Sequence, residues 1–231
     1  MSYINHPNIQ AALFDIDGTL TTGGWIWKPL VSSPDVSLSR KAWLYGTAFP
    51  HYGLSKARLV DQAAFRDRWV RLMAWSMQGW PAEQAEAMCE RILQEMLVPN
   101  LRADVVNTLN QHLSQNHPVI LVSTMFDRIV SRLAAHLGAT VGLGSKLAIE
   151  NGTCTGKIIG ETCSGGRKVT FAQRYLEQSY PDIGLENFVA YADSGSDIPF
   201  LAGVGVQVAV YPDEAMRAAA TQSGWIIYGS E

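Results

Sequence analysis

The chain reads as an α/β protein: a doubly wound, mostly parallel sheet with a helical cap inserted after its first strand. Three observations carry that expectation. Short apolar runs alternate with helical stretches through the second half of the chain, the pattern of a parallel sheet covered on both faces. The first apolar run, residues 9–15, is short, continuous and closed by a Gly-Thr turn, as a buried strand would be. Between residues 22 and 99 the alternation stops and strand signals become scarce.

A chain of 231 residues exceeds the usual single-domain size and falls short of two full domains, so one core with an insertion is expected. Residues 1–21 and 100–231 would form the core, and 22–99 the cap. Within the cap, 56–79 reads as one long helical stretch, and 81–97 as a second that opens on proline. After it come a helix over 101–114 and an apolar strand over 118–123. The next helix places Phe126, Ile129, Val130, Leu133 and Leu137 on one face and ends at Gly138. Residues 146–159 read as a hairpin turning at Asn151-Gly152. A further helix starts after Gly165-Gly166. Strand 188–192, helix 197–201, strand 204–210, helix 213–222 and strand 225–228 complete the alternation.

Composition narrows the function. Charged residues make up 17% and the formal net charge is −3, which gives no basic surface for nucleic acid. Cys89, Cys154 and Cys163 are too few and too scattered for a disulfide framework or a zinc site. No apolar run approaches the roughly 20 residues of a membrane span, and residues 1–10 lack the features of a secretion signal. A cytoplasmic protein without a transmembrane segment is expected.

The chemistry concentrates at strand ends. The first strand runs into Asp15-Ile16-Asp17-Gly18-Thr19, and ligands of open parallel sheets bind at carboxyl ends of strands. Asp-x-Asp-Gly-Thr fixes four positions and arises by chance in about one chain in a thousand of this length. The second strand ends in Ser123-Thr124, Lys168 lies in the first turn of its helix, and strand 188–192 runs into Asp193-Ser194-Gly195-Ser196-Asp197. Taken singly, Ser123 reads as a turn former, Lys168 as a surface lysine, and Asp193 and Asp197 as helix caps.

In this order the four segments resemble the haloacid dehalogenase-like superfamily, whose motifs are Asp-x-Asp, Ser/Thr, Lys and an acidic pair. The hairpin before Lys168 and the Asp-Ser-x-Ser-Asp spelling are similar to its phosphoserine phosphatase-like branch, which inserts a helical cap after the first motif. The resemblance implies a phosphomonoesterase with Asp15 as nucleophile, Asp17 as general acid and base, and Lys168 as the positive charge beside them. It implies that Ser123 and Thr124 bind the phosphoryl group, that Thr19 orients Asp17, and that Mg²⁺ is held by Asp15, Asp193, the Asp17 carbonyl and, at one remove, Asp197. Charge supports a cation independently: like-charged carboxylates about 4 Å apart repel by roughly 4 kcal/mol at an effective dielectric near 20, and oxygen-only ligands suit magnesium.

The expected partner is a small or amphiphilic organic phosphate. A phosphotransferase using the same intermediate is the enzymatic alternative, and a phosphate-sensing scaffold on a degenerate fold the non-enzymatic one. Phosphoserine fits less well, because no carboxylate lies between Thr21 and Asp35 to pair with an amino group. Six of the seven tryptophans (Trp25, Trp27, Trp43, Trp69, Trp75 and Trp80) fall in the cap, where they either pack it or form an apolar substrate lobe. Arg66, Arg68 and Arg71 share a helix and read as a solvated face.

Overall fold

The computed structural model describes residues 8–56 and 62–229. Strand β1 (Ala11–Phe14) is followed by four helices, α1 (Lys28–Ser32), α2 (Leu38–Lys56), α3 (Gln62–Ser76) and α4 (Ala82–Ile92). A π-turn (Leu93–Leu97) and a 3₁₀ turn (Val98–Asn100) lead into α5 (Ala103–Ser114), β2 (Val119–Phe126), α6 (Asp127–Leu137) and β3 (Val141–Ser145). A hairpin, β4 (Leu147–Glu150) and β5 (Thr153–Ile158), precedes α7 (Arg167–Ser179). The chain closes with β6 (Phe188–Ala192), α8 (Ile198–Ala202), β7 (Val206–Val210), α9 (Glu214–Ser223) and β8 (Ile226–Tyr228).

The six-stranded sheet has the order β3-β2-β1-β6-β7-β8, and each pair of neighbours in it is parallel. Strand order reverses between β1 and β6, which makes their carboxyl ends the switch point where such sheets bind ligands. Alternation along β1 feeds both faces. Ala12 and Phe14 join the cluster that holds α5, α6 and most of the cap, while Ala11 and Leu13 join the one holding α7, α8 and α9. Burial on both sides is why these strands read as continuous apolar runs.

Two elements differ from expectation. Strand β2 continues past Ser123 to Phe126, with a register shift between Val122 and Phe126; the polar Ser-Thr pair imitates a strand end. Strand β3 has no counterpart in the sequence reading, because Gly142 and Gly144 dilute its apolar signal. Both glycines are required by packing: a Cβ on Gly142 would lie 2.4 Å from the Val130 carbonyl oxygen, and one on Gly144 2.7 Å from the Asp127 nitrogen. Helix α6 therefore presses its backbone against β3. Within the stretch 56–79, α2 is described to Lys56 and α3 from Gln62 to Ser76, and 57–61 lie outside the described residues.

The hairpin turns at Asn151 (φ 49°) and Gly152 (φ 75°), as the Asn-Gly pair predicts. It docks on the end of α3 and the start of α4 through Gly79 N–H to Cys154 O (2.9 Å), Cys154 N–H to Trp80 O (2.8 Å) and Ala82 N–H to Gly152 O (2.8 Å). Chain entry to and exit from the helical insertion run side by side, with Thr22 N–H bonded to Asn100 O (2.9 Å) and Arg102 N–H to Leu20 O (2.8 Å). Ion pairs tie α4 to α6, where Glu86 meets Arg128 and Arg132. No helix among the described residues is long and apolar enough to cross a membrane.

Behind the catalytic edge, Phe14 stacks on Tyr191 with centroids 4.2 Å apart. The Tyr191 hydroxyl lies 2.8 Å from Nε2 of the fully buried His112, whose Nδ1 lies 3.1 Å from Nδ1 of His117. Burial, with help from His117, pushes His112 down to about 4 from its ordinary 6.5. The native state thus holds His112 neutral while the unfolded chain takes up a proton below 6.5, so stability falls as pH drops from 6.5 toward 4 and the His112 contribution levels off below that. On acidification from pH 7.5 to pH 5, urea unfolding should show the wild type losing about 2 kcal/mol more than His112→Gln. An equal pH dependence in the variant would exclude His112 as its source.

Candidate active site

Asp15 follows β1 directly and is 2% exposed, its N–H donating to Tyr191 O (3.0 Å) at the switch point. The chain then turns sharply through Gly18, whose φ of +91° belongs to glycine. A Cβ there would lie 2.1 Å from Asp193 Oδ2, so the turn and the carboxylate after β6 occupy adjoining space. The Thr19 hydroxyl sits 3.0 Å from Asp193 Oδ1 and 3.4 Å from Asp15 Oδ2. This corrects the expectation that Thr19 orients Asp17: its hydroxyl serves Asp15 and Asp193, one donor shared between two neighbouring carboxylates.

Lys168 is the second residue of α7 and has no exposed surface. Its Nζ lies 2.6 Å from Asp15 Oδ1 and 2.7 Å from Asp197 Oδ1. Burial opposes its charge, but the two carboxylates outweigh burial and raise its pKa. Asp197, also fully buried, meets Arg66 Nη1 at 3.3 Å through its other oxygen, and Arg66 Nη2 donates to Ser194 Oγ at 3.0 Å. Arg66 is therefore not part of a solvated face. Helix α3 carries it from the cap to the acidic centre, and neither helical periodicity nor composition signals which arginine of that helix does so.

The carboxylates resist ionisation together. Burial, then repulsion from neighbouring acids, raises Asp15 and Asp193, the latter well above the usual carboxylate range despite Lys168 and Arg66 nearby. Asp17 is pushed up to about 6, chiefly by burial, with Asp15 adding to the effect and Arg66 opposing it. Asp15, Asp193 and Asp197 each offer an oxygen within 4.8 Å of the others. Such a crowded, oxygen-only set fits a hard divalent cation, which would relieve the repulsion that raises these groups. Because both Asp197 oxygens already face cationic side chains, Asp15 and Asp193 are the freer donors.

Ser123 is buried within β2, three residues before its end, and its Oγ accepts the Met125 N–H (3.2 Å). Thr124 Oγ1 is buried without a hydrogen-bond partner, while its carbonyl accepts from Ser145 Oγ at 2.8 Å. Sequence reasoning also missed Asp213: it accepts the Gly195 N–H, caps α9 through Met216 N (2.8 Å) and donates its own N–H to Asp193 O (2.9 Å), fixing the acidic loop. Its place ahead of α9 marks it as a cap, but nothing local shows that it also holds the loop.

Three buried or half-buried acids and a buried lysine are gathered at the switch point of a doubly wound sheet, an arrangement of the kind hydrolases use. The haloacid dehalogenase-like hydrolase family matches residues 12–202, and the chain belongs to it. Among relatives, a Mycobacterium tuberculosis protein named as a probable phosphatase is 29% identical over 218 residues, covering 93% of this chain and 73% of that protein. A phosphoserine phosphatase of the same species is 27% identical over 225 residues, covering 94% and 70%. A structure of a Bordetella pertussis protein of unknown function superposes with a TM-score of 0.80 at 20% identity, covering 96% of this chain and 98% of that one. The phospho-aspartyl intermediate analogue of a phosphoserine phosphatase superposes with a TM-score of 0.64 at 19% identity, covering 96% and 94%.

The lysine is also structural. Replacing it strands two buried carboxylates, and breaking such a pair typically costs about 3–5 kcal/mol. Lys168→Met should therefore lower the unfolding free energy of the metal-free protein by that order at pH 7.5, read by urea denaturation. A loss under about 1 kcal/mol would mean that Asp15 and Asp197 do not depend on Lys168 for compensation.

Proposed function

We propose that the chain is a magnesium-dependent phosphomonoesterase that works through an aspartyl-phosphate on Asp15, with residues 22–99 as its cap. The observation that carries this reading is the Asp15–Lys168 pair at 2.6 Å, a nucleophilic carboxylate held beside a buried cation at the sheet's switch point. Magnesium would be held by Asp15 and Asp193, with the Asp17 carbonyl joining them as in the family and Asp197 behind. It would supply the positive charge that lets a phosphate dianion approach a carboxylate.

An Asp15 oxygen attacks phosphorus in line as the ester P–O bond breaks. Asp17, at about 6, stands near the range in which one group serves as both acid and base close to neutrality. It gives its proton to the leaving oxygen, then takes one from the water that cleaves the aspartyl-phosphate, releasing inorganic phosphate and restoring Asp15. Lys168 favours the ionised form of Asp15 against burial and faces charge developing on the phosphoryl oxygens, which Ser123 and Thr124 receive through their hydroxyls. Thr19 holds the Asp15 and Asp193 carboxylates in place. Arg66 brings a second cation from the cap to the rim, where it can meet the phosphoryl group or another anionic group of the substrate.

The substrate is a small or amphiphilic organic phosphate. Most cap tryptophans pack: Trp27 lies edge-on to Phe126 (4.9 Å), Trp80 is buried, and Trp69 and Trp75 lean on the same apolar cluster. Trp25, just past the catalytic loop, is 39% exposed and presents part of its ring where an apolar substrate body could lie. Phosphoserine is the second reading, favoured by the names of relatives.

Phosphate release from a panel of esters, phosphoserine included, tests the function. Magnesium should support turnover, excess chelator should abolish it, and Asp15→Asn should be inactive while still folded; full activity of Asp15→Asn would refute the mechanism. Asp17→Asn should lose about 10²–10⁴ in rate on alkyl phosphates and much less on p-nitrophenyl phosphate, whose leaving group needs no proton. Equal losses on both would remove Asp17 from the acid role.

A further inference from the structure

We infer that Asp67 is a positioning residue that registers α3 against the loop before Lys168 and thereby sets where Arg66 stands, an inference that rests on the proposed phosphatase site. Residues 66 and 67 leave α3 side by side and bond to different walls of the centre. Arg66 reaches Ser194 and Asp197, beyond β6. Asp67 reaches the segment that leads into α7: its Oδ1 accepts from Arg167 Nη2 at 2.9 Å and from the Thr162 hydroxyl. The same Arg167 nitrogen bonds Thr162 Oγ1 (2.9 Å) and Ser164 Oγ (2.7 Å), both on buried residues. Arg71 Nε donates to the remaining Asp67 oxygen at 3.1 Å. Although burial works against its charge, these partners hold Asp67 below the usual carboxylate range.

The two ends of α3 are anchored differently. Val70, Met73 and Ala74 are buried in the apolar cluster that also fixes the hairpin, whereas no apolar side chain from Ala63 to Arg68 is buried. Polar bonds therefore decide where the first turns of α3 sit. Arg167, which receives Asp67, immediately precedes Lys168, so one contact ties the cap helix to the lysine's own helix start. When it is lost, Arg66 moves relative to Asp197, and displacements of about 1 Å at a site can cost up to about 100-fold in rate.

The test combines Asp67→Ala, Arg66→Ala and the double variant, assayed with magnesium on the best ester of the panel, with amide hydrogen exchange on each. Asp67→Ala should lower kcat/KM by about 10- to 100-fold. In the Arg66→Ala background it should cost less than about twofold more, because its effect runs through Arg66. Exchange should quicken over residues 63–69 and stay unchanged over 70–76. Fully additive losses, or protection lost along all of α3, would overturn the inference. Should Asp67→Ala fail to fold, Thr162→Val must reproduce the local exchange pattern, and an unchanged pattern there overturns it equally. If the wild-type protein cleaves no ester, the proposed function fails, while the exchange pattern still decides the role of Asp67.

Discussion

The ammonium of Lys168 is withdrawn entirely from water and stays charged because Asp15 and Asp197 meet it at 2.6 and 2.7 Å. Much of the site follows from that compensation. A buried lysine needs buried acids. Those acids come from the ends of two different strands, β1 and β6, and adjacent parallel strands that diverge at a switch point supply both from neighbouring positions. The lysine itself arrives on the first turn of α7, which packs Ala172 and Leu176 against the opposite face of the sheet from the cap. Sheet order, helix placement and site chemistry are therefore one arrangement.

The charges do not balance within the chain. With all groups ionised, Asp15, Asp17, Asp193 and Asp197 set four negative charges against the two positive ones of Lys168 and Arg66. Burial is the main cause that raises Asp15, Asp17 and Asp193, and the surplus of negative charge adds to it. A surplus of two negative charges matches one divalent cation, and a site so balanced can admit an anionic substrate that would otherwise be repelled. Arg66, whose pKa these carboxylates raise in spite of burial, shows that the cap also answers the surplus.

What could be read from the sequence was what local chemistry encodes. Asp15 and Asp17 stand out because paired carboxylates are scarce at an apolar strand end, Lys168, Asp193 and Asp197 stand out only through the order of segments that resembles the family, and the hairpin announces itself in Asn151-Gly152. What could not be read depends on packing between distant segments. Gly142 and Gly144 hide β3 because the backbone of α6 needs their space. Arg66 is indistinguishable from Arg68 and Arg71 until the rotation of α3 over the sheet is known. The Thr19 hydroxyl finds Asp193, 174 positions away, which no spacing within the first loop discloses.

The placement of α3 shows how the two parts of the chain are made to agree. The hairpin β4–β5 belongs by sequence to the core half, yet it pairs with the α3–α4 turn and packs on the end of α3. Residues 162–167, which follow the hairpin directly, then bond Asp67 on the same helix. One continuous segment thus fixes α3 twice, by main-chain and apolar contact at its end and by polar contact near its start, before delivering Lys168 to the nucleophile. Apolar packing is non-directional and holds position, while charged hydrogen bonds are directional and exchange readily with water. A helix anchored by the first at one end and the second at the other has a fixed end and an adjustable end, and the adjustable end is the one that carries Arg66 to the acids.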